Sequence, residues 1–458
     1  MTLICDYVTI LAAEEGAFLL RNWFFQSSSL HISWLNFWII FPALFLLLLH
    51  LNQLYSRRRP FFKEAEMVFH ACVYATLTLS FLLYAARLAG STSRFFTVTF
   101  GITAFVFLTL ARYGLKRFLM GRGLLQVQTI VIGAGKTAEL LARAIEGDAG
   151  LGYKIIGLLE DNRVCKGGLE KYPLLGGFAD AERVIKETGV KHVFIAAPGL
   201  RDEALGRLIY RVQPLVKNIG VIPNLVGVPL GSVEAESIFS EKLLILRLKN
   251  NLARPLNRAI KLVFDYTLTI VGTICISPLL LYIAYRIKKE DPGPIFFAHT
   301  RIGKDGKSFP CYKFRSMVVN SKDMLETYLA ENPAAREEWE RDFKLKDDPR
   351  VTPIGKILRK TSLDELPQIF NVLRGEMSLV GPRPIIAEEL ARYGEYVGDY
   401  LMVKPGITGM WQVSGRSDIE YSERVQLDSW YVRNWSMWLD FMLLFKTFAV
   451  VLGRKGAY

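Results

Sequence analysis

Residues 357–368 read Ile-Leu-Arg-Lys-Thr-Ser-Leu-Asp-Glu-Leu-Pro-Gln. The adjacent acids Asp364 and Glu365 follow the basic pair Arg359-Lys360, and neighbouring carboxylates are costly unless a cation or phosphate organises them. Downstream, Gly-Pro-Arg-Pro (381–384) presents one guanidinium on a stiff turn, and Lys-Pro-Gly-Ile-Thr-Gly (404–409) follows. Carboxylates for Mg²⁺ and rigidly mounted cations are parts that phosphoryl chemistry uses. A local reading stands beside this one. Ser362-Leu-Asp-Glu365 has the form of a capping box, in which a serine N-cap and a glutamate reach back to each other's backbone. Acids in a first helical turn also complement the macrodipole. Pro367 weighs against a helix continuing through this point. The two readings are compatible, because a carboxylate held at a helix start is well placed for chemistry.

The chain has 458 residues, 51% of them hydrophobic, a formal charge of +13 and a mean hydropathy of +0.22. Length suggests about three domains, and hydropathy suggests a membrane component. The basic clusters sit at the ends of apolar segments, which favours anionic lipid as the partner and excludes nucleic acid. Five cysteines and five histidines are scattered, without zinc or disulfide spacing. Glu14 and Glu15 interrupt the first apolar stretch, so no cleavable signal peptide is expected.

Residues 35–55 and 67–86 are apolar runs long enough to span a bilayer, 95–111 is near the lower limit, and 4–25 is weaker because of Asp6, Glu14 and Glu15. Arg57-Arg58-Arg59 and Lys63 lie between the second and third runs, and Arg112, Lys116, Arg117 and Arg122 follow the fourth. The positive-inside rule then expects a four-helix membrane bundle over 1–122 with both ends in the cytoplasm. Residues 123–250 change to an α/β pattern with one short sheet. Strand 128–133 leads into Gly133-Ala-Gly135-Lys-Thr-Ala138, with Glu160 and Asp161 beyond. This is a Rossmann-like dinucleotide fingerprint naming Gly133, Gly135 and Asp161 as cofactor-binding candidates. The glycines could equally serve close helix–strand packing. Residues 251–458 read as a mostly helical domain. Within it, 262–287 is apolar, with Ser277-Pro278 near its middle and basic residues at both ends. A helix re-entering by one face satisfies both flanks. Residues 437–452 and the tryptophans before them read as interfacial.

The runs Tyr-Lys-Phe-Arg-Ser-Met (312–317), Arg-Lys-Thr-Ser-Leu-Asp-Glu-Leu-Pro-Gln (359–368), Met-Ser-Leu-Val-Gly-Pro-Arg-Pro (377–384), Lys-Pro-Gly-Ile-Thr-Gly (404–409) and Trp-Tyr-Val-Arg-Asn-Trp-Ser (430–436) together resemble the bacterial polyprenyl-phosphate hexose-1-phosphate transferases. The bundle and α/β region resemble the long form of that family, so the resemblance covers nearly the whole chain. It implies a two-step reaction at a cytoplasmic catalytic domain of the bacterial inner membrane, opening O-antigen, capsule or exopolysaccharide synthesis. Asp364 would attack the β-phosphorus of a UDP-hexose, expel UMP and pass the sugar phosphate to undecaprenyl phosphate. Glu365 would bind Mg²⁺, and Lys313, Arg315, Arg359 and Arg383 would bind phosphate. Lys404, Arg416 and Asp440 would support the site, although Asp440 could instead orient helices. Galactose 1-phosphate is the expected cargo, with glucose 1-phosphate its competitor, and dimerisation through the middle domain is a further implication. The rival reading is an NAD-dependent nucleotide-sugar dehydratase or epimerase. Tyr400-Leu-Met-Val-Lys404 has that class's Tyr-x-x-x-Lys spacing, but far from the glycine fingerprint.

Overall fold

The computed structural model describes residues 2–25, 33–55, 58–85, 93–124, 126–148, 150–162, 167–223, 233–238, 243–248, 251–333, 335–336, 345, 348–414 and 420–452. The chain divides into two compact units, Met1–Val226 and Gly227–Tyr458.

The first unit begins with α1 (Thr2–Phe24), α2 (Phe41–Leu51, continuing a π-helical turn at Asn36–Ile40), α3 (Phe61–Ala85) and α4 (Arg94–Gly121). All four helices contribute to one apolar core, through residues such as Ile10, Phe45, Leu79 and Phe100. By length and composition α3 and α4 could cross a membrane, whereas Asn36–Leu51 is a shorter apolar helix. Both α3 and α4 run past the apolar limits read from sequence, because polar residues at their ends stay helical and find partners inside the unit. Arg112 of α4 donates to Asp6 of α1 at 2.6 and 3.0 Å and to Glu64 of α3 at 3.1 Å. Lys116 also binds Glu64, and the Tyr55 hydroxyl donates to Asp6 at 2.7 Å. The expectation that charges of the first helix face a bundle holds for Asp6 and Glu14, both buried, while Glu15 is exposed.

The same unit carries a five-stranded sheet in the order β3-β2-β1-β4-β5, all parallel. Its strands are β1 (Val127–Ile132), β2 (Tyr153–Leu159), β3 (Leu174–Gly176), β4 (His192–Ile195) and β5 (Asn218–Val221). Central β1 shows why: Ile130 and Ile132 pack with α6 (Ala181–Thr188) and α7 (Asp202–Val212), while Val131 packs with α5 (Lys136–Gly147). A strand covered on both faces needs a continuous apolar run, which Ile-Val-Ile supplies. Arg58 donates to the Gly152 carbonyl at 3.0 Å, and the Phe61 amide donates to Asp148 at 2.9 Å, tying sheet to helices.

The second unit contains a hairpin, β6 (Val233–Ile238) and β7 (Leu243–Leu248), then α8 (Pro255–Glu290), the third helix long and apolar enough to cross a membrane. Helix α8 continues through Pro278. Proline at this position deprives the Ile274 carbonyl of its amide donor, and the Ser277 hydroxyl donates to that carbonyl at 2.8 Å instead. Much of α8 is exposed and apolar, including Val263, Ile274 and Leu281. Beyond it lie an antiparallel hairpin, β8 (Phe296–Ile302) with β9 (Ser308–Phe314), helix α9 (Ser321–Glu331), and a series of short helices around a two-stranded parallel ladder. Tyr431 and Trp435 are core residues, contrary to their reading as part of an interfacial motif. The last helix, Met437–Leu452, exposes Phe441, Phe445 and Phe448.

Arg112→Met leaves Asp6 and Glu64 as buried carboxylates without their shared cation. We expect a loss of about 3–5 kcal/mol, read as thermal unfolding in detergent. Lys63→Met, which removes an exposed pair with Glu66, should cost no more than about 1 kcal/mol.

Candidate active site

The Asp364-Glu365 pair sits on a tight turn between two helices. Helix α10 (Pro353–Thr361) is capped by Thr352, whose hydroxyl accepts from the Gly355 amide at 3.0 Å. It ends at Ser362, which adopts φ 57°, ψ 18°, and Leu363–Glu365 then form one 3₁₀ turn. Helix α11 (Gln368–Leu373) starts after Pro367, where a missing amide costs nothing. The capping-box expectation is therefore corrected: Ser362 closes the preceding helix and makes no side-chain cap. A left-handed residue reverses the chain so sharply that the two acids lie on a turn rather than along a helix face.

Strand β9 brings Lys313 to this turn. Its ammonium donates to Glu365 at 2.7 Å and lies 3.9 Å from Asp364. Asn371 of α11 fixes the register, accepting from the Tyr312 amide at 3.0 Å and donating to the Pro310 carbonyl at 2.7 Å. Arg359 donates to the Ser316 hydroxyl at 3.0 Å. Arg315 is tied to Asp291 at 3.3 Å and to that residue's carbonyl. Burial pushes the Asp364 carboxyl above the ordinary aspartate range, and nearby Lys313 opposes the shift.

Arg383 arrives from the parallel ladder of β10 (Ser378–Val380) and β11 (Gly406–Thr408), paired Ser378 to Gly406 and Val380 to Thr408. The Gly381 amide donates to the Thr408 carbonyl and the Gly406 amide to the Pro382 carbonyl, at 2.9 and 2.8 Å. A Cβ on Gly406 would lie 2.1 Å from the Gly381 nitrogen, so the two glycine-proline motifs exist to press backbone on backbone. The Arg383 guanidinium lies 5.3 Å from the centre of the Trp411 ring. Burial, then the neighbouring Arg424, push its pKa down.

These groups line one cleft of 1310 Å³ that holds Lys313, Arg359, Asp364, Glu365 and Arg383 together with apolar Phe296, Phe297 and Ile407. Arg301, Trp411, Tyr421 and Arg424 also line it and were not among the residues singled out from sequence. Arg424 stands four residues before Asp428 on a helix (Tyr421–Arg433), a spacing that reads as an ordinary surface pair. Asp428 is buried and accepts from the Tyr393 hydroxyl at 2.9 Å. Desolvation raises its carboxyl to about 7, opposed by Tyr393, Arg424 and the Arg383 backbone amide.

Asp440 is not in the cleft lining. It is buried and takes hydrogen bonds from Lys261 at 2.7 Å, Tyr431 at 2.7 Å and Trp435 at 3.0 Å. That geometry is helix-orienting. Lys404 is likewise outside the lining, and burial lowers its ammonium's pKa. Arg416 and the terminal residues 454–458 lie outside the described residues. Tyr400 is buried, donates to the Ile302 carbonyl at 2.7 Å and accepts from the Ile385 amide at 3.2 Å, so its hydroxyl holds loops together. In the first unit, Gly133 has φ 110°, and a Cβ there would lie 2.5 Å from the Ala196 carbonyl oxygen. Gly135 precedes α5 as its N-cap. The Ala134 amide donates to Glu160 at 2.8 Å, and Asp161 accepts from the Phe178 amide at 2.7 Å.

No cluster of three or more His, Cys, Asp or Glu residues occurs among the described residues. Asp364 and Glu365 supply two carboxylates, which fits a Mg²⁺ that keeps waters and phosphate oxygens in its remaining positions.

Residues 256–454 match the family described as bacterial sugar transferase, and residues 50–223 match the CoA-binding domain family. An undecaprenyl-phosphate galactose phosphotransferase of Salmonella typhimurium is 41% identical over 88% of this chain and 84% of its own length. An uncharacterized sugar transferase of Haemophilus influenzae is 43% identical over 88% of this chain and 85% of its own. A UDP-glucose:undecaprenyl-phosphate glucose-1-phosphate transferase of Escherichia coli is 30% identical over 74% and 71%. With its acid pair, lysine and half-buried arginine gathered in one cleft and similarity running through most of its length, the chain belongs to the bacterial sugar transferase family.

Proposed function

We propose that the chain transfers galactose 1-phosphate from UDP-galactose to undecaprenyl phosphate, giving undecaprenyl-diphosphate-galactose and UMP. The observation that carries the reading is the desolvated Asp364 on a cationic cleft wall, with Lys313 at its side. The 41% identity to relatives in Salmonella typhimurium and Erwinia amylovora, both named for galactose or UDP-galactose, supports the donor. Glucose 1-phosphate is the second reading, supported by the 30% identical Escherichia coli relative.

The Asp364 carboxylate attacks the β-phosphorus of the donor. The bond from that phosphorus to the bridging oxygen breaks, and its electron pair leaves with UMP. The aspartyl-phosphosugar is then attacked by a phosphate oxygen of undecaprenyl phosphate, which releases Asp364 as the carboxylate. A covalent intermediate divides one difficult displacement into two. Glu365, with Asp364 beside it, would hold Mg²⁺ against the donor's diphosphate, and the ion would neutralise that charge. Lys313 keeps Asp364 available as an anion, and Arg359 and Arg383 supply fixed positive charge along the cleft. Arg315, paired with Asp291, serves the strand more directly than the substrate.

The membrane arrangement is part of the same proposal. α1 to α4 form a four-span bundle, α8 re-enters the cytoplasmic face of the bacterial inner membrane, and the exposed phenylalanines of Met437–Leu452 lie at its surface. Residues 1–122, 123–250 and 251–458 act as bundle, α/β domain and catalytic domain. The α/β domain serves assembly into a dimer. A dinucleotide at Gly133 and Gly135 would have to displace Glu160 from the Ala134 amide.

Asp364→Asn should lower UMP release from UDP-galactose by on the order of 10⁴-fold or more, while a UDP-galactose turnover equal to wild type sinks the mechanism. The same assay with UDP-glucose separates the two donors, and chelation of Mg²⁺ should abolish release in either case. The pH profile gives a further check. The nucleophile works ionised and burial raises its pKa, so activity should fall on the acid side at a pH above the ordinary aspartate value of about 3.9. Lys313→Met removes the opposing charge and should move that limb higher still.

A further inference from the structure

One end of the cleft presents donors that find no acceptor among the described residues. The indole Nε1 of Trp411, the hydroxyl of Tyr421 and both Nε and Nη2 of Arg424 are buried and find no hydrogen-bond partner among the described residues. All three residues line the same cleft as Asp364. They are also packed on one another, with the Arg424 guanidinium 4.9 Å from the Trp411 ring centre and 5.1 Å from that of Tyr421. Buried polar groups left unpaired cost about 1–3 kcal/mol each, and natural structures rarely concentrate them without a ligand to accept from them.

The surroundings say what sort of ligand fits. Arg383 also lies beside this group, 5.3 Å from the Trp411 ring centre, and Arg301 lines the same cleft. The acids in reach are Glu389, 3.8 Å from Arg301, and Asp428, which sits four residues after Arg424 on one helix. The Oδ2 atom of Asp428 accepts from Tyr393, and its Oδ1 atom makes no hydrogen bond among the described residues. Arg392 adds a fourth guanidinium, 3.8 Å from the Tyr421 ring centre, and Glu365 adds a third acid, acting on Arg383, so four arginines against three acids leave the pocket positive. Stacking on aromatic rings holds a guanidinium flat and pre-aimed, the condition under which arginine recognises phosphate best.

We infer that Trp411, Tyr421 and Arg424 form a phosphate-binding subsite of the cleft, which receives oxyanions of a substrate phosphate through these four unpartnered donors. Arg424 supplies charge and two of the donors, and the indole and phenol fix the orientation. Asp428 is a positioning residue, since it accepts from the Tyr393 hydroxyl at 2.9 Å and balances Arg424 four residues away on the same helix. The inference rests on the transferase reading for the identity of the phosphate, which is either the donor's diphosphate or the acceptor's single phosphate.

The test uses the full-length protein in detergent, with initial rates measured against UDP-galactose and undecaprenyl phosphate in turn. Arg424→Gln should raise KM for one of the two about tenfold or more, with Arg424→Lys recovering part of the loss. Trp411→Phe and Tyr421→Phe each keep the ring and remove one donor, and each should raise the same KM a few-fold. A rise confined to UDP-galactose assigns the donor diphosphate, and one confined to undecaprenyl phosphate assigns the acceptor. Unchanged KM for both substrates in Trp411→Phe and Tyr421→Phe overturns the subsite, even where Arg424→Gln fails to fold. Absence of UMP release in the wild type would count against the transferase reading instead. In that event inorganic pyrophosphate should still raise the unfolding temperature of the wild type and not of Trp411→Phe. An unshifted wild type would overturn the subsite independently.

Discussion

The second unit is organised around the ion pair between Lys261 and Asp440, held at 2.7 Å with the carboxylate wholly buried. Lys261 belongs to α8, the long apolar helix, and Asp440 to the last helix. The same ammonium donates to the Val380 carbonyl at 3.1 Å, and the Tyr431 hydroxyl lies 2.9 Å from that oxygen. Val380 ends strand β10, whose next residues are the Gly-Pro-Arg-Pro turn. One step earlier, the Ser378 hydroxyl donates to Asp265 of α8 at 2.7 Å. A helix long and apolar enough to cross a membrane and the turn that carries Arg383 are thus fastened to each other by buried charges. Such pairs are demanding: every oxygen must be satisfied, or burial costs more than the pairing returns. Asp440 meets that condition with donors from Lys261, Tyr431 and Trp435.

From this anchor the cleft is assembled in two pieces. The ladder of β10 and β11 fixes Arg383, because only glycine at 381 and 406 permits so close an approach of backbones. The hairpin of β8 and β9 fixes Lys313, and Asn371 locks that hairpin to the helix following the acid pair. Each charged group is therefore positioned by backbone hydrogen bonds rather than by its own flexible side chain. That is what electrostatic catalysis requires, since groups already oriented need no reorganisation when charge develops. The cost is a carboxylate held partly out of water, and Lys313 compensates by favouring its ionised form.

The first unit follows the same rule with different consequences. Asp6, Glu64, Arg112 and Lys116 come from three helices and neutralise one another in the core. A charge inside an apolar bundle is tolerated where partners face it. Its sheet is ordered 3-2-1-4-5, and the glycine turn beyond β1 approaches β4 closely. There the Ala134 amide of the turn meets the protein's own Glu160, whereas the donors around Trp411 in the cleft meet no acceptor among the described residues.

The acid pair, the proline-rigid arginine, the α/β pattern and the long apolar helices were legible in the sequence, because each is a local signal of residue type and spacing. The sequence likewise determined that α8 carries a proline beside a serine, which suffices to repair the helix at Ile274. The reversal at Ser362 was not legible, since a capping box and a left-handed stop share the same letters and differ in backbone angle. Nor was the role of Asp440 decided, since whether a carboxylate meets substrate or three buried donors depends on helices far apart in the chain. Arg424 and Trp411 escaped notice for the same reason: a lone arginine and a lone tryptophan say nothing until folding stacks one on the other. What the sequence determined by itself was which chemical groups exist and which segments prefer helix, strand or lipid. The tertiary structure alone decided which charges are left without water and without partners, because desolvation is a property of the assembled surroundings.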